Sequence, residues 1–205
     1  MNLLNVLVSG GWIMILIAIS SLVVIAIGVS RFMTLQRENQ KLSAFIAKWR
    51  VNPGSADSTK FRGACKTGNF AISSMAAVFD AEKMSRAEAT DSLETAGRQA
   101  LYKLESGIGV IGTLAAATPL VGFLGTVTGM IRAFMQIQKL GGNVNANVLA
   151  GGIWEALVTT AAGLAVGILA LIIHNYLASL VKKAVSSIEK CGQLTMRILG
   201  SGYEN

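Results

Sequence analysis

The chain has 205 residues, of which 52% are hydrophobic and only 14% charged, with a mean hydropathy of +0.54 and a net charge of +7. That is too apolar for an ordinary soluble domain of this length, so the composition points to an all-α membrane protein with several spans. The excess of basic residues does not indicate nucleic-acid binding, because between Arg31 and Glu105 they are interleaved with 8 acids and no recognition motif accompanies them.

Three charge-poor runs carry the spans. Met1–Ser30 and Ser106–Ile131 contain no Asp, Glu, Lys or Arg, and Ala156–Val181 contains only the titratable His174. Each can hold the ~20 apolar residues that a bilayer crossing requires. The first run lacks a basic n-region and is longer than a usual signal core, so a retained span is expected. Of the 18 Lys and Arg, 12 lie in Arg31–Glu105 and 4 follow Val181, while none precedes Arg31. By the positive-inside rule this predicts a periplasmic N-terminus and first span over 1–30, and a cytoplasmic helical segment over 31–107. A second span over 108–138, a periplasmic loop over 139–148, a third span over 149–181 and a cytoplasmic tail over 182–205 follow by the same rule.

The first span has no strong polar residue and reads as a lipid-facing outer helix, with Trp12 at one interface and Arg31 at the other. Beyond Arg31, apolar residues keep helical spacing through Leu35, Leu42, Phe45, Ile46 and Trp49, so the helix is expected to continue. Asn52-Pro53-Gly54-Ser55 breaks it. Short helices are expected near 58–67 and 71–80, and from Ser85 a capping-box pattern opens a helix that should run straight into the second span. Cys65 and Cys191 fall on the cytoplasmic side, where neither a structural disulfide nor a metal site is expected from two isolated thiols.

In the second span the small residues Gly112, Ala115, Pro119, Gly122, Thr126, Gly129 and Ala133 share a stripe, and in the third Gly152, Ala156, Thr160, Gly163, Gly167, Ala170 and His174 do so. In lipid, close packing of small faces replaces the hydrophobic effect as the force that joins helices, so both stripes predict packing, including against other copies of the chain. Pro119 also removes a backbone donor and leaves the Ala115 carbonyl to find another partner. Glu155 is the acid at the head of the third span. A charge at a span's centre costs roughly 2.5–3.5 kcal/mol, less toward an end, which makes an intramembrane acid a functional candidate.

Folding the hairpin about a turn near residue 144, within Gly141–Asn147, sets Thr126 level with Thr160 and Arg132 level with Glu155. Thr126, Thr160 and Glu155 are therefore candidates to line an ion path, since hydroxyls around an axis can hold a file of water. The competing expectation is that Thr160 bonds back to its own helix and that Glu155 only fastens the hairpin through Arg132. Arg132 and Thr159 are candidates for an ion-pair or gating role. His174 is expected to be a satisfied interfacial residue and Trp154 an interface anchor. No HExxH, GxSxG or paired intramembrane carboxylates occur, so neither an enzyme nor a cofactor is expected.

Two blocks carry a resemblance. Ala117-Thr-Pro-Leu-Val-Gly-Phe-Leu-Gly-Thr-Val-Thr-Gly-Met-Ile and Gly152-Ile-Trp-Glu-Ala-Leu-Val-Thr-Thr-Ala-Ala-Gly-Leu resemble the signature segments of the ExbB/TolQ/MotA proton-channel family. With three spans, the layout is closer to the ExbB/TolQ branch than to the four-span flagellar stators. The resemblance implies a homopentamer around a central pore that seats a dimer of a single-span partner similar to ExbD or TolR. It further implies work delivered to a TonB- or TolA-like protein, in nutrient import or in envelope integrity. Thr126, Thr160 and Glu155 match the family's polar positions, whereas Arg132 stands where a neutral polar residue is more usual. A non-conducting membrane scaffold is the alternative that the residues alone leave open.

Overall fold

A computed structural model of the chain describes residues 11–50, 58–68, 71–73, 86–139 and 146–200. The helices are α1 (Gly11–Arg50), α2 (Ser58–Lys66), α3 (Arg86–Glu105), α4 (Ile108–Lys139) and α5 (Ala146–Gly200). Of these, α1, α4 and α5 each contain a stretch long and apolar enough to cross a membrane. Both α1 and α5 outrun the bilayer: their 40 and 55 residues correspond to about 60 and 80 Å of helix at ~1.5 Å per residue. Most of the turn expected at 141–147 and most of the helix expected at 71–80 lie outside the described residues.

One expectation fails at a single residue. The helix opened near Ser85 does not run into the second span, because Gly107 takes φ +80° between α3 and α4. That left-handed conformation has no Cβ penalty at glycine and ends an α-helix in the usual way.

The chain divides into two compact units. The first comprises 1–29 and 107–175, the second 30–106 and 176–205. In the first, α4 and the adjoining part of α5 form an antiparallel pair, and α1 runs parallel to α5, since Gly11 faces Glu155 while Gly28 faces Ile173. Ile13, Met14 and Ile17 of α1 are buried against Val121 of α4 and Val158, Ala162 and Val166 of α5. The first span is thus only partly an outer helix. Leu22, Ile25 and Val29 remain exposed on its other face, as do Leu120 and Phe123 on α4 and Ile168 and Leu169 on α5. Large apolar groups outward and small ones inward is the arrangement expected of spans whose solvent is lipid.

The second unit has an aqueous-type core, built from apolar residues spaced by three and four. Ala89, Leu93, Ala96 and Ala100 of α3 and Val181, Ala184, Ile188 and Cys191 of α5 are all buried, as are Leu35 and Leu42 of α1. Phe61 of α2 is fully buried between Phe45 and Trp49, its ring edge-on to the Trp49 indole at 4.9 Å. The Asn39 amide donates across to the Leu180 carbonyl at 3.0 Å.

Candidate functional site

The candidate residues gather on the seam between α4 and α5, and glycine makes that seam possible. A Cβ placed on Gly163 would lie 2.8 Å from the Gly122 Cα and 2.9 Å from the Thr118 carbonyl oxygen; one placed on Gly122 would lie 2.9 Å from the Thr159 carbonyl oxygen. Backbone therefore meets backbone at this level. One level along, Pro119 lies over Gly167, where a Cβ would come within 2.5 Å of its ring. The Gly167 backbone also faces the Ala115 carbonyl that Pro119 deprives of its helical donor, at 3.2 Å from the same Cβ position. In the opposite direction, Ala156 packs on Gly129 and Ala133 packs on Gly152. The His174 ring closes the far end, against Gly112 and with Nδ1 3.2 Å from the Ile108 carbonyl oxygen.

The two small-residue stripes thus face each other within one chain, and much of what the sequence offers to other copies is used inside the hairpin. The seam on α4 is rotated from the one expected. Gly125 and Thr118 lie at its centre, while Thr126 is only half-buried at its edge. Both sets of residues recur at spacings of three and four, so spacing alone cannot choose between them. The Thr159 side chain decides the matter by filling the notch above Gly125.

The hydroxyls divide by partner. Thr160 donates across the seam to the Gly122 carbonyl at 3.0 Å rather than to its own helix. Thr126 donates back to the Phe123 carbonyl at 2.6 Å. Thr159, 1% exposed, donates to Ala156 at 2.8 Å, and the buried Thr118 donates to Leu114 at 2.7 Å. Thr126 follows Gly125, whose notch is filled by Thr159, the neighbour of Thr160, so the two threonines lie at nearly the same level of the hairpin. Each has given its proton to a carbonyl and keeps its lone pairs, which makes the pair acceptors suited to a cation or to a water donating toward them.

Arg132 and Glu155 meet about one and a half turns further along, with Nη1 donating to Oε1 at 2.7 Å. The Glu155 side chain is 24% exposed and that of Arg132 46% exposed, so the pair is open on one side. Trp154, beside it in sequence, is 48% exposed. Among the described residues no group of three or more His, Cys, Asp or Glu could hold a metal ion. A separate groove of about 700 Å³ lies in the second unit between α3 and α5, and none of the candidate residues lines it.

The hairpin thus combines backbone contact, a hydroxyl that crosses the seam and an acid paired at one end. Residues 66–190, which hold every one of these groups, match the MotA/TolQ/ExbB proton channel family. The chain belongs to that family. Among its relatives in the family, the biopolymer transport protein ExbB of Pseudomonas putida is 30% identical over 178 residues, covering 81% of this chain and 52% of that protein. An ExbB-like biopolymer transport protein of Synechocystis is 41% identical over 91 residues, 43% of this chain and 36% of its own length. A second Synechocystis ExbB-like protein is 32% identical over 167 residues, 78% of this chain and 76% of its own length. Against the first two, the chain spans about half or less of the relative's length.

Membership of a membrane channel family agrees with the three apolar helices. Gly125 and Thr118 of the seam fall inside the matched stretch, whereas Gly11, which approaches Glu155 from α1, falls outside it. Nothing in the sequence near Gly11 marks that approach, because the partners lie more than a hundred residues away.

Proposed function

We propose that the chain is an ExbB-like proton channel and stator subunit of a bacterial inner membrane. On this reading five copies surround a dimer of a single-span partner similar to ExbD or TolR, whose membrane acid takes up the proton. Ion flow then turns one set of subunits against the other and drives work at the outer membrane through a TonB- or TolA-like protein. The N-terminus faces the periplasm and the C-terminus the cytoplasm, in keeping with where the basic residues fall. Each unit charge crossing supplies about 2.3 kcal/mol per 100 mV, so a few protons suffice for a mechanical step.

The observation that carries this reading is the Thr160 hydroxyl, half-buried and bonded across the seam to Gly122. A hydroxyl fixed in this way has its oxygen lone pairs held in place, and together with Thr126 it offers acceptors and no free donor. Such a lining favours a hydrated proton over an anion without binding it tightly. Reconstituted vesicles with the acidic single-span partner and a pH-sensitive dye test it. Thr160→Val should lower proton uptake about tenfold or more, the equivalent of ~1.4 kcal/mol on the barrier, while Thr160→Ser keeps it. Uptake unchanged in Thr160→Val would remove the hydroxyl from the path.

The Arg132–Glu155 pair favours a second reading for the acid itself. A carboxylate 2.7 Å from a guanidinium is already neutralised, as a scaffold residue would be. If the chain is a non-conducting scaffold, Glu155→Gln leaves partner function intact and vesicles with the partner take up no protons. A TolQ-like output, in envelope integrity, differs from the ExbB-like one only in which outer protein is driven. Complementation of strains lacking one or the other system separates them.

A further inference from the structure

The first residue of α1 lies against the ion pair. A Cβ placed on Gly11 would come 2.8 Å from Glu155 Oε1 and 3.3 Å from Arg132 Nη1, and Gly11 holds φ +62°. Residues with a side chain rarely adopt that φ, and the carboxylate stands closer to this backbone than any Cβ would allow. Gly11 is the first residue of α1, so the positive end of that helix's dipole lies beside the carboxylate.

We infer that Gly11 is a positioning residue: the close approach of α1 that it permits holds the Glu155 carboxylate on Arg132 and ties α1, α4 and α5 together at one end of the first unit. Three observations meet here, namely a left-handed backbone, a glycine whose Cβ position is taken by the carboxylate and guanidinium tips, and an ion pair formed at that spot. Gly11 lies outside the residues 66–190 that match the family, so the match does not itself carry the arrangement. The inference rests on the proposed function only for its consequence: a carboxylate fixed between a guanidinium and a helix N-terminus fastens the channel wall and does not carry the proton. That leaves the threonine hydroxyls and the partner's acid as the ion path.

The test is thermal unfolding of the purified full-length protein in detergent. Gly11→Ala should lower Tm by about 3 °C or more. Glu155→Asp, one methylene shorter with its charge kept, withdraws the oxygen from the new methyl group. At least half of the Gly11→Ala loss should therefore disappear in the Glu155→Asp background, and likewise in Arg132→Gln, where no pair remains to be displaced. An unchanged Tm in Gly11→Ala, or the same loss in all three backgrounds, would mean that only local backbone strain is involved, and the proposal falls. Should Gly11→Ala fail to fold, the double variant with Glu155→Asp must fold, and its failure too would overturn the proposal. The melt needs neither the partner nor a proton gradient. Absence of conduction in vesicles therefore leaves this result standing, and a negative melt leaves the channel reading standing.

Discussion

Gly163→Ala is the smallest change that tests whether the hairpin is held by backbone contact. The new methyl group would sit 2.8 Å from the Gly122 Cα, 2.9 Å from the Thr118 carbonyl oxygen and 3.1 Å from the Gly122 nitrogen. All three are backbone atoms, which no rotamer change can move aside. To reach an ordinary carbon–carbon separation of ~3.5 Å, α4 and α5 must part by about 0.7 Å. The Thr160–Gly122 hydrogen bond, 3.0 Å in the native protein, would then stretch beyond useful length. Overpacking of this kind costs ~1–3 kcal/mol, and an interhelical hydrogen bond in a membrane protein contributes ~0.6 kcal/mol. A total of about 2 kcal/mol corresponds to a Tm lower by roughly 4–8 °C. Gly151→Ala on the same helix is the control, because its Cβ would meet nothing within 4 Å. It should be neutral or raise stability by up to ~1 kcal/mol through helix propensity. Circular dichroism melts of the two variants in one detergent decide the matter. Equal Tm values for Gly163→Ala and wild type, or equal losses in both variants, would refute backbone contact at this level.

The remaining predictions concern the second unit. Burial pushes the Cys65 thiol from its usual 9.0 up to about 12, with the Cys191 thiol nearby adding to the rise. Because the folded value is the higher one, the stabilisation from the neutral thiol is complete below pH 9 and is lost as pH climbs toward 12. Wild-type Tm should accordingly fall more steeply over that range than the Tm of Cys65→Ala, and a maleimide should label Cys65 at neutral pH only after denaturation. Parallel slopes, or rapid labelling of the native protein, would contradict the burial. Phe61→Ala, which empties the fully buried site between Phe45 and Trp49, should cost about 3–5 kcal/mol in denaturant unfolding, and a loss under ~1 kcal/mol would show that the cluster does not hold α2 in place.

How much of this was legible in the sequence varies from one residue to the next. The continuation of α1 past Arg31 could be read because Leu35 and Leu42 recur at helical spacing, and both are buried. The break at Gly107 was missed because a lone glycine between two helical patterns is as compatible with continuation as with a stop, and its backbone angle decides which. Gly122, Gly129, Gly163, Gly167 and Pro119 belong to the stripes and lie on the seam, yet so does Gly125, where the stripe's spacing points to Thr126. Stripes at spacings of three and four on adjacent faces of a helix overlap, so the partner's shape must select between them. The hydroxyl of Thr160 shows the same limit, since bonding to its own helix and bonding across to Gly122 require the same residue at the same position.

The sequence by itself determined that the chain is helical, that three of its stretches can cross a membrane and which of their faces carry small residues, because hydropathy and periodicity are local properties of the chain. It also placed Arg132 level with Glu155, since an antiparallel hairpin fixes depth by counting. Only the tertiary structure decided which way each hydroxyl points, how α1 joins the other two helices and that Gly11 closes on the ion pair. Those depend on atoms brought together from distant parts of the chain, at separations where a single methyl group changes the outcome.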